Sequence, residues 1–270
     1  MRLVERRSRR LTEVGDKLAS HVLRAEAILA QAGRVVNAMR QPELGSLSVH
    51  ASGTPGTYML PDVIAKFREA CPGVSFDFQM GTSAEVVQAV RSHRAEIGIA
   101  GSFPTGPEIT AEPLTQDEIV IVGPRAYKGQ RVSRDDLESL VWISREDGSG
   151  TRAVADRALA DLGIVPNRRL AFPGWEPVKL AVRRGYGVAA LSLLAVAEEL
   201  ASGTLVVIPF APWKVHRTMS IVRIRDAALT PAAQLFVHLL RARVGDISAL
   251  PRTKVARSRR KLSRPSAPIS

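Results

Sequence analysis

The chain has 270 residues, 45% of them hydrophobic, which is enough to build one large or two small globular cores. Its single cysteine excludes an internal disulfide and a cysteine-rich metal centre. No stretch approaches the roughly 18 consecutive apolar residues of a membrane helix, and no apolar signal segment follows the N-terminus. The composition therefore predicts a cytoplasmic globular protein without a membrane partner.

The formal net charge of +12 is concentrated at the two ends of the chain. Residues 1–10 hold five Arg and one Glu, and residues 246–270 hold seven Lys or Arg and one Asp, so residues 11–245 have a net charge of only +2. A basic segment with few large apolar residues cannot bury enough surface to fold. We predict that residues 246–270 form a basic disordered tail, with contact to DNA as the alternative role for this segment.

A long helix is predicted over residues 12–42. Thr12 supplies an N-cap, and Pro42 stops the helix. Within it, apolar residues recur at alternating spacings of three and four, which is typical of a helix that pairs with a second helix. An amphipathic helix lying on its own domain is the alternative interpretation. The apolar positions are Leu18, Val22, Ala25, Leu29, Ala32, Val36 and Met39.

Short strands alternate with helices from residue 46 onward, which predicts an α/β fold with mostly parallel sheets covered on both faces. The rhythm occurs twice and indicates two units of about one hundred residues each. The predicted strands are 46–51, 74–80, 97–100, 119–122, 141–143, 187–191, 205–208 and 219–223, and the last of them is expected to run antiparallel. The predicted helices are 60–69, 83–92, 153–162, 178–183, 194–200 and 231–241.

Two hydroxyl-rich turns, Ser52-Gly53-Thr54 and Ser149-Gly150-Thr151, each follow a predicted strand and open a helical segment. The start of a helix carries unpaired N–H groups and the positive end of the helix dipole, and both attract anions. Gly81-Thr82-Ser83 and Gly101-Ser102 follow two further strands. Because ligands of such sheets bind at the carboxyl ends of the strands, the four turns predict one anion-binding cleft, with ordinary helix capping as the alternative. Arg152 either supplies a counter-charge there or faces solvent.

The common enzyme motifs are missing from the sequence. It has no G-x-S-x-G elbow, H-E-x-x-H pair, P-loop or paired-cysteine motif. The segment 185–190 fits G-x-G-x-x-A, but it follows a predicted helix and leads into a strand, the reverse of the order in dinucleotide-binding units. We interpret it as a helix-ending turn. The sequence predicts no enzymatic activity, no cofactor and no metal ion.

Several ordered motifs resemble the effector-binding domain of LysR-type transcription regulators, and the resemblance extends from residue 3 to residue 243. Each motif alone is weak, but their number, order and spacing are specific. They are Gly45–Val49 with Ala51–Pro61, Phe67-Arg68 with Pro72-Gly73-Val74, Glu96–Ile99, Leu114 with Asp117–Val120, Ser149–Arg152, and Val182–Ala189.

The resemblance implies two Rossmann-like subdomains of the periplasmic-binding-protein type, preceded by a long linker helix. Residues 1–11 resemble a remnant of the winged helix-turn-helix, and residues 12–42 the linker and dimerisation helix. The helix-turn-helix itself would precede this chain, which is then a truncated or mis-started product or a natural protein without a DNA reader. Subdomain I would comprise residues 46–104 and 209–245, and subdomain II residues 105–208.

The resemblance also implies the partners and the contact residues. A small, anionic metabolite would bind between the subdomains, DNA would bind through the helix-turn-helix of a full-length form, and the protein would be a homodimer or homotetramer. The alternative is a stand-alone solute-binding protein of a transport system. The implied effector contacts are Ser52, Thr54, Thr82, Ser102, Ser149 and Thr151, with Trp175 either flanking the cleft or packed as a core aromatic. The implied contacts to DNA phosphates are Arg6, Arg7, Arg9 and Arg10.

Overall fold

The computed structural model describes residues 3–4, 10–40 and 44–249. Within these ranges the chain forms nine α-helices and nine strands, which alternate from residue 46 much as the sequence predicts. The helices are α1 (Glu13–Arg40), α2 (Gly53–Tyr58), α3 (Leu60–Ala70), α4 (Ser83–Arg91), α5 (Arg134–Ser139), α6 (Gly150–Asp161), α7 (Trp175–Arg183), α8 (Ala197–Ser202) and α9 (Pro231–Ala249). The strands are β1 (Ser46–Ser52), β2 (Ser75–Gly81), β3 (Ile97–Ala100), β4 (Ile109–Pro124), β5 (Val141–Arg145), β6 (Arg168–Phe172), β7 (Ala189–Ser192), β8 (Leu205–Val207) and β9 (Val215–Ile224).

Helix α1 begins where the capping signal predicts. The Gly15 backbone N–H donates to Thr12 Oγ1 at 3.1 Å, and Glu13 and Asp16 place negative charge in the first turn, near the positive end of the helix dipole. The predicted apolar face is open to solvent from Leu18 to Val36, where its side chains are described, and Leu29 is 73% exposed. The structure therefore does not show this face packed against its own domain.

The chain forms two lobes joined by two long strands. Lobe I contains β1–β3, α2–α4 and α9, with β1 parallel to both β2 and β3. Lobe II contains β5–β8 and α5–α8, with β5 parallel to β6. The strands β4 and β9 run antiparallel to each other between the lobes, and their register shifts between Pro113 and Thr115. We call β4 and β9 the crossover strands.

Each lobe buries apolar side chains on both faces of its strands. In lobe I, Phe67 and Phe236 pack on one face and Val86 on the other. In lobe II, Val182 packs on one face and Leu159 on the other. This double layer of helices confirms the predicted α/β architecture.

The crossover strands correct one sequence expectation. Strands predicted at 119–122 and 219–223 extend over Ile109–Pro124 and Val215–Ile224, and their antiparallel pairing makes the main sheet mixed rather than mostly parallel. Polar residues such as Glu112 and Gln116 interrupt the apolar alternation, which is why the pattern underestimates the length of β4.

The helix boundaries also differ in places. Helix α2 was not predicted, because its sequence GTPGTY is rich in residues that disfavour helices. Helix α9 continues past the expected end at Arg241 to Ala249, into the segment predicted as tail, and the rest of that tail lies outside the described residues. No helix among the described residues has both the length and the apolar character needed to cross a bilayer.

Candidate functional site

A small cavity of about 10 Å³, room for about one water molecule, lies where the two lobes face each other. Its walls come from the carboxyl ends of β1, β2 and β5 and from the helices that follow, as expected for sheets of this kind. The lining residues are Ser52, Gly53, Thr54, Gly81, Thr82, Ser83, Arg145, Ser149, Gly150, Thr151, Trp175 and Arg217. No carboxylate is among these lining residues of the described chain.

A buried ion pair between the crossover strands closes the inner end of the cavity. Arg217 of β9 and Asp117 of β4 are direct neighbours in the strand register, and their side chains are 3% and 1% exposed. Arg217 Nη2 lies 2.7 Å from Asp117 Oδ2, and Arg217 Nε donates to the same oxygen at 2.8 Å. Asp117 Oδ1 accepts from Ser192 Oγ at 2.8 Å.

Burial raises the pKa of the Asp117 carboxyl above its ordinary value, although Arg217 and Ser192 act in the opposite direction. Removing both charges from water is unfavourable, and such a pair is seldom more stable than apolar side chains of the same volume. Its position beside the cavity indicates a role other than stability.

Four hydroxyl groups around the cavity accept hydrogen bonds from the protein. Arg217 Nη2 donates to Thr54 Oγ1 at 2.9 Å, and Arg217 Nη1 donates to Thr151 Oγ1 at 2.7 Å. The Gly101 N–H donates to Ser52 Oγ at 2.7 Å. The Glu85 N–H donates to Thr82 Oγ1 at 3.2 Å within a capping box at the start of α4. Each hydroxyl that accepts in this way retains its own hydrogen for another acceptor.

A second guanidinium, that of Arg145, lies on the opposite wall. Its Nε and Nη2 donate to the two Glu146 carboxylate oxygens, each at 2.7 Å, and its centre stacks 4.1 Å above the Trp175 ring. Although burial alone would raise it, the hydrogen bonds from Arg145 and the Gly174 N–H hold the pKa of Glu146 below its ordinary value. A Cβ on Gly53 would lie 3.0 Å from Trp175 Nε1, so the Trp175 side chain would have to shift by a few tenths of an ångström to admit it.

Two buried donors facing this region have no hydrogen-bond partner among the described residues. They are Trp175 Nε1 and Ser83 Oγ. An unpaired buried polar group is unfavourable by about 1–3 kcal/mol, so such groups commonly mark the position of a ligand or water. Both belong to the first residue of a helix, α7 and α4, where backbone N–H groups are also unpaired.

The cavity opens into a larger outer cleft of about 510 Å³. This outer cleft is lined by aromatic, sulfur-containing and acidic side chains, in contrast to the carboxylate-free cavity. They include Tyr58, Met80, Glu85, Glu146, Trp175 and Glu176.

The structure brings most of the predicted contact residues together. Ser52, Thr54, Thr82, Ser149, Thr151 and Trp175 all line the cavity. Ser102 lines a neighbouring surface groove instead, and its carbonyl accepts from Ser220 Oγ. Arg152 forms ion pairs with Asp147 and Asp156 at the surface, which agrees with its solvent-facing alternative.

The predicted DNA-contacting arginines are mostly beyond what the structure describes. Arg6, Arg7 and Arg9 lie outside the described residues, and Arg10 is exposed just before α1. Val4 and Leu11 form an antiparallel bridge on either side of the segment that holds these arginines.

The sequence interpretation missed Arg145, Asp117 and Arg217. The strand alternation contains a signal for Asp117 and Arg217, since Asp117 is in phase with the buried Ile119 and Arg217 with the buried Met219. A charged residue at an inward position of a strand predicts a buried, paired charge.

A family model described as the LysR substrate binding domain matches residues 40–245. The chain belongs to the LysR family. It is 33% identical over 218 residues to the HTH-type transcriptional regulator YeiE of Escherichia coli K12, an alignment that covers 79% of this chain and 73% of the relative. It is 27% identical over 234 residues to the HTH-type transcriptional regulator CysL of Bacillus subtilis, covering 86% and 78%.

Solved structures of LysR regulatory domains share the fold of this LysR-family chain. The regulatory domain of CcmR from Synechocystis PCC6803 in complex with 2-PG has a TM-score of 0.67 at 20% identity, covering 73% of this chain and 96% of that one. Full-length CbnR complexed with its target DNA has a TM-score of 0.62 at 20% identity, covering 86% and 82%. This LysR-family chain therefore carries the effector-binding domain of a transcription regulator, and the transport-protein alternative is not favoured.

Proposed function

We propose that this LysR-family chain senses a small anionic metabolite in the cavity between its lobes. The observation that carries the proposal is the convergence of hydrogen-bond donors from both lobes on one buried, carboxylate-free space. The contacts we assign to the effector are those of the cavity, namely Ser52, Thr54, Thr82, Ser149, Thr151 and Trp175, with Arg145 added and Ser102 left at the neighbouring groove.

The energetics are sufficient for useful affinity. Charge-assisted hydrogen bonds contribute roughly 1.5–3 kcal/mol each, and the positive ends of α4, α6 and α7 point to the same region. Micromolar binding requires about 8 kcal/mol, so a few such bonds suffice after ordering costs. Two structural neighbours, the CcmR domain with 2-PG and the QuiR domain with shikimate, are also described as complexes with small molecules.

Binding can act on DNA only if the effector prefers one arrangement of the lobes. An anion held by Thr54 of lobe I and Thr151 of lobe II would favour the closed arrangement. We propose that this preference is transmitted through α1 to the DNA-binding part of a full-length, cytoplasmic regulator, with Arg6, Arg7, Arg9 and Arg10 contacting phosphates. The cavity would bind without catalysis, and turnover of any bound anion would contradict that part.

Calorimetric titration with small anions, including sulfate, phosphate and shikimate, tests the site. Replacement of Thr54 or Thr151 by Val removes one hydroxyl at nearly constant volume, and we expect the affinity of each anion that binds to fall about tenfold. Thr218→Val is the matched control, because its hydroxyl accepts from Gln116 at the surface rather than lining the cavity. Unchanged affinity in both cavity variants would show that the two hydroxyls do not contact the anion.

We further propose that the protein is a homodimer or homotetramer that pairs through the exposed apolar face of α1. Val22 is 54% exposed and Leu29 73%, an unusual amount of apolar surface for an unpaired helix. Replacing both by Glu should dissociate the oligomer in sedimentation velocity. A monomeric wild-type protein at tens of micromolar would refute the pairing.

A further inference from the structure

Every N–H group of the Arg217 guanidinium has a partner within the protein. A guanidinium has five N–H groups, and Arg217 makes five nitrogen–oxygen contacts within the described chain. Two go to Asp117, one each to Thr54 and Thr151, and one to the Gly101 carbonyl at 3.1 Å. Arg217 therefore has no hydrogen left to donate to an anion, although it lines the cavity.

The two threonine contacts determine what the hydroxyls can do. Arg217 has donors but no lone pair to offer, so Thr54 and Thr151 must accept from it. Their hydrogens are consequently available to an acceptor in the cavity. Without Arg217, the two hydroxyls would be free to rotate and to satisfy each other or water.

The same contacts join three parts of the fold. Arg217 belongs to a crossover strand, Thr54 to helix α2 of lobe I, and Thr151 to helix α6 of lobe II. The Arg217 side chain is fixed by Asp117 on the other crossover strand. Separation of the lobes must therefore lengthen at least one of the two hydrogen bonds from Arg217 to the threonines.

We propose that Arg217, held by Asp117, is a positioning residue that presets the Thr54 and Thr151 hydroxyls as donors and so couples anion occupancy to lobe closure. This inference rests on the proposed anion-sensing function and specifies how the site is regulated. The ion pair is retained for this geometry, since apolar replacements of similar volume commonly preserve stability.

The experiment removes the pair without leaving a buried charge alone. The variant Arg217→Met with Asp117→Leu is titrated with sulfate and with phosphate by calorimetry, beside the wild type. We expect the affinity to fall about tenfold or more, in line with the loss of preset charge-assisted contacts. Thr54→Val should then have a much smaller effect in this background than in the wild type, because the two changes remove the same interaction.

A matched control comes from the same two strands. Arg223 and Glu112 also pair across β9 and β4, at 3.0 Å, but they lie away from the cavity. Replacing them by Met and Leu should leave anion affinity unchanged. If the Arg217 double variant does not fold, Arg217→Lys is the substitute, because it retains the charge beside Asp117 but not the planar fork of donors. The lysine can contact only one of the two threonines. We expect the effect of replacing that threonine by Val to be additive with Arg217→Lys, and the effect of replacing the other to stay non-additive.

The outcomes separate the two proposals. Failure of the wild type to bind either ion contradicts the anion-sensing function, and this inference with it. If the wild type binds, two results would overturn the positioning role alone. One is an affinity of the folded Arg217–Asp117 double variant within about twofold of the wild type, and the other is an additive effect of Thr54→Val in that background.

Discussion

The two turns that line the cavity have the same three residues, Ser-Gly-Thr, but different surroundings. In the lobe I turn, Ser52 accepts from the Gly101 N–H, and Gly53 faces the Trp175 and Arg145 side chains. In the lobe II turn, Ser149 makes no capping hydrogen bond, and a Cβ on Gly150 would meet the Gly101 carbonyl at 2.9 Å. Identical sequence therefore gives one glycine that faces only side chains of the opposite lobe and one that faces both a side chain, Ser83, and a backbone carbonyl, Gly101, of the opposite lobe.

The threonines of the two turns share one anchor, and breaking that anchor should have the largest effect. Asp117→Asn leaves the buried Arg217 charge without its counter-ion, so we expect the free energy of unfolding to fall by about 3–5 kcal/mol. Urea unfolding of the wild type and the variant measures this change in free energy. Glu112→Gln is the control, because its pairs with Arg223 and Arg241 are partly exposed and should each contribute about 1 kcal/mol or less. Equal effects in the two variants would contradict the special status of the buried pair.

The glycines of the two turns should respond differently to a methyl group. Gly150→Ala would place the Cβ 2.7 Å from Ser83 Oγ and 2.9 Å from a backbone oxygen, which cannot move without shifting the lobes. Overpacking of this kind is unfavourable by about 1–3 kcal/mol, so anion affinity should fall about tenfold or more.

Gly53→Ala is the matched comparison. Its Cβ would be 3.0 Å from Trp175 Nε1 and 3.3 Å from Arg145 Nη1, and side chains can shift by a few tenths of an ångström. We expect a smaller loss of affinity in the same titration. A larger loss for Gly53→Ala than for Gly150→Ala would reverse the interpretation.

The serines of the two turns should differ in stability. Ser52→Ala leaves the buried Gly101 N–H without its acceptor, and we expect the free energy of unfolding to decrease by about 1–3 kcal/mol. Ser149→Ala removes a hydroxyl that caps nothing and should be nearly neutral. Thermal or urea unfolding measures both changes, and an equal loss of stability in the two variants would contradict this expectation.

The smallest expected effect concerns Glu146, which holds Arg145 over Trp175 on the lobe II side of the cavity. Because the pKa of Glu146 is lowered in the folded state, its stabilising contribution is present above the ordinary Glu pKa and is lost as the pH falls through the folded value. The stability difference between wild type and Glu146→Gln should be at most about 1 kcal/mol at neutral pH and should vanish in acid. A difference that stays constant with pH would contradict the ion pair.

The sequence predicted the fold class, α1 and the convergence of the cavity hydroxyls, because these depend on local patterns. Apolar spacing, strand ends and capping residues are readable from neighbours in the chain. Arg217 and Asp117 were missed because their pairing joins residues one hundred positions apart and is visible only once the crossover strands are in register. Ser102 was assigned to the cavity on the same strand-end rule, but the chain turns after Gly101 and exposes it to another groove.

The length of helix α1 means that a small change in its direction moves its end by several ångströms. Its 28 residues extend about 42 Å at 1.5 Å per residue, and Arg24 ties its middle to Glu108 at the base of a crossover strand. A change of about 10° in the direction of this rod about Arg24 displaces its N-terminal end, about 17 Å away, by about 3 Å, roughly one base-pair step along a duplex. In the regulator proposed above, a slight closure of the cavity would therefore move the N-terminal end of α1 by a distance comparable to the spacing of base pairs.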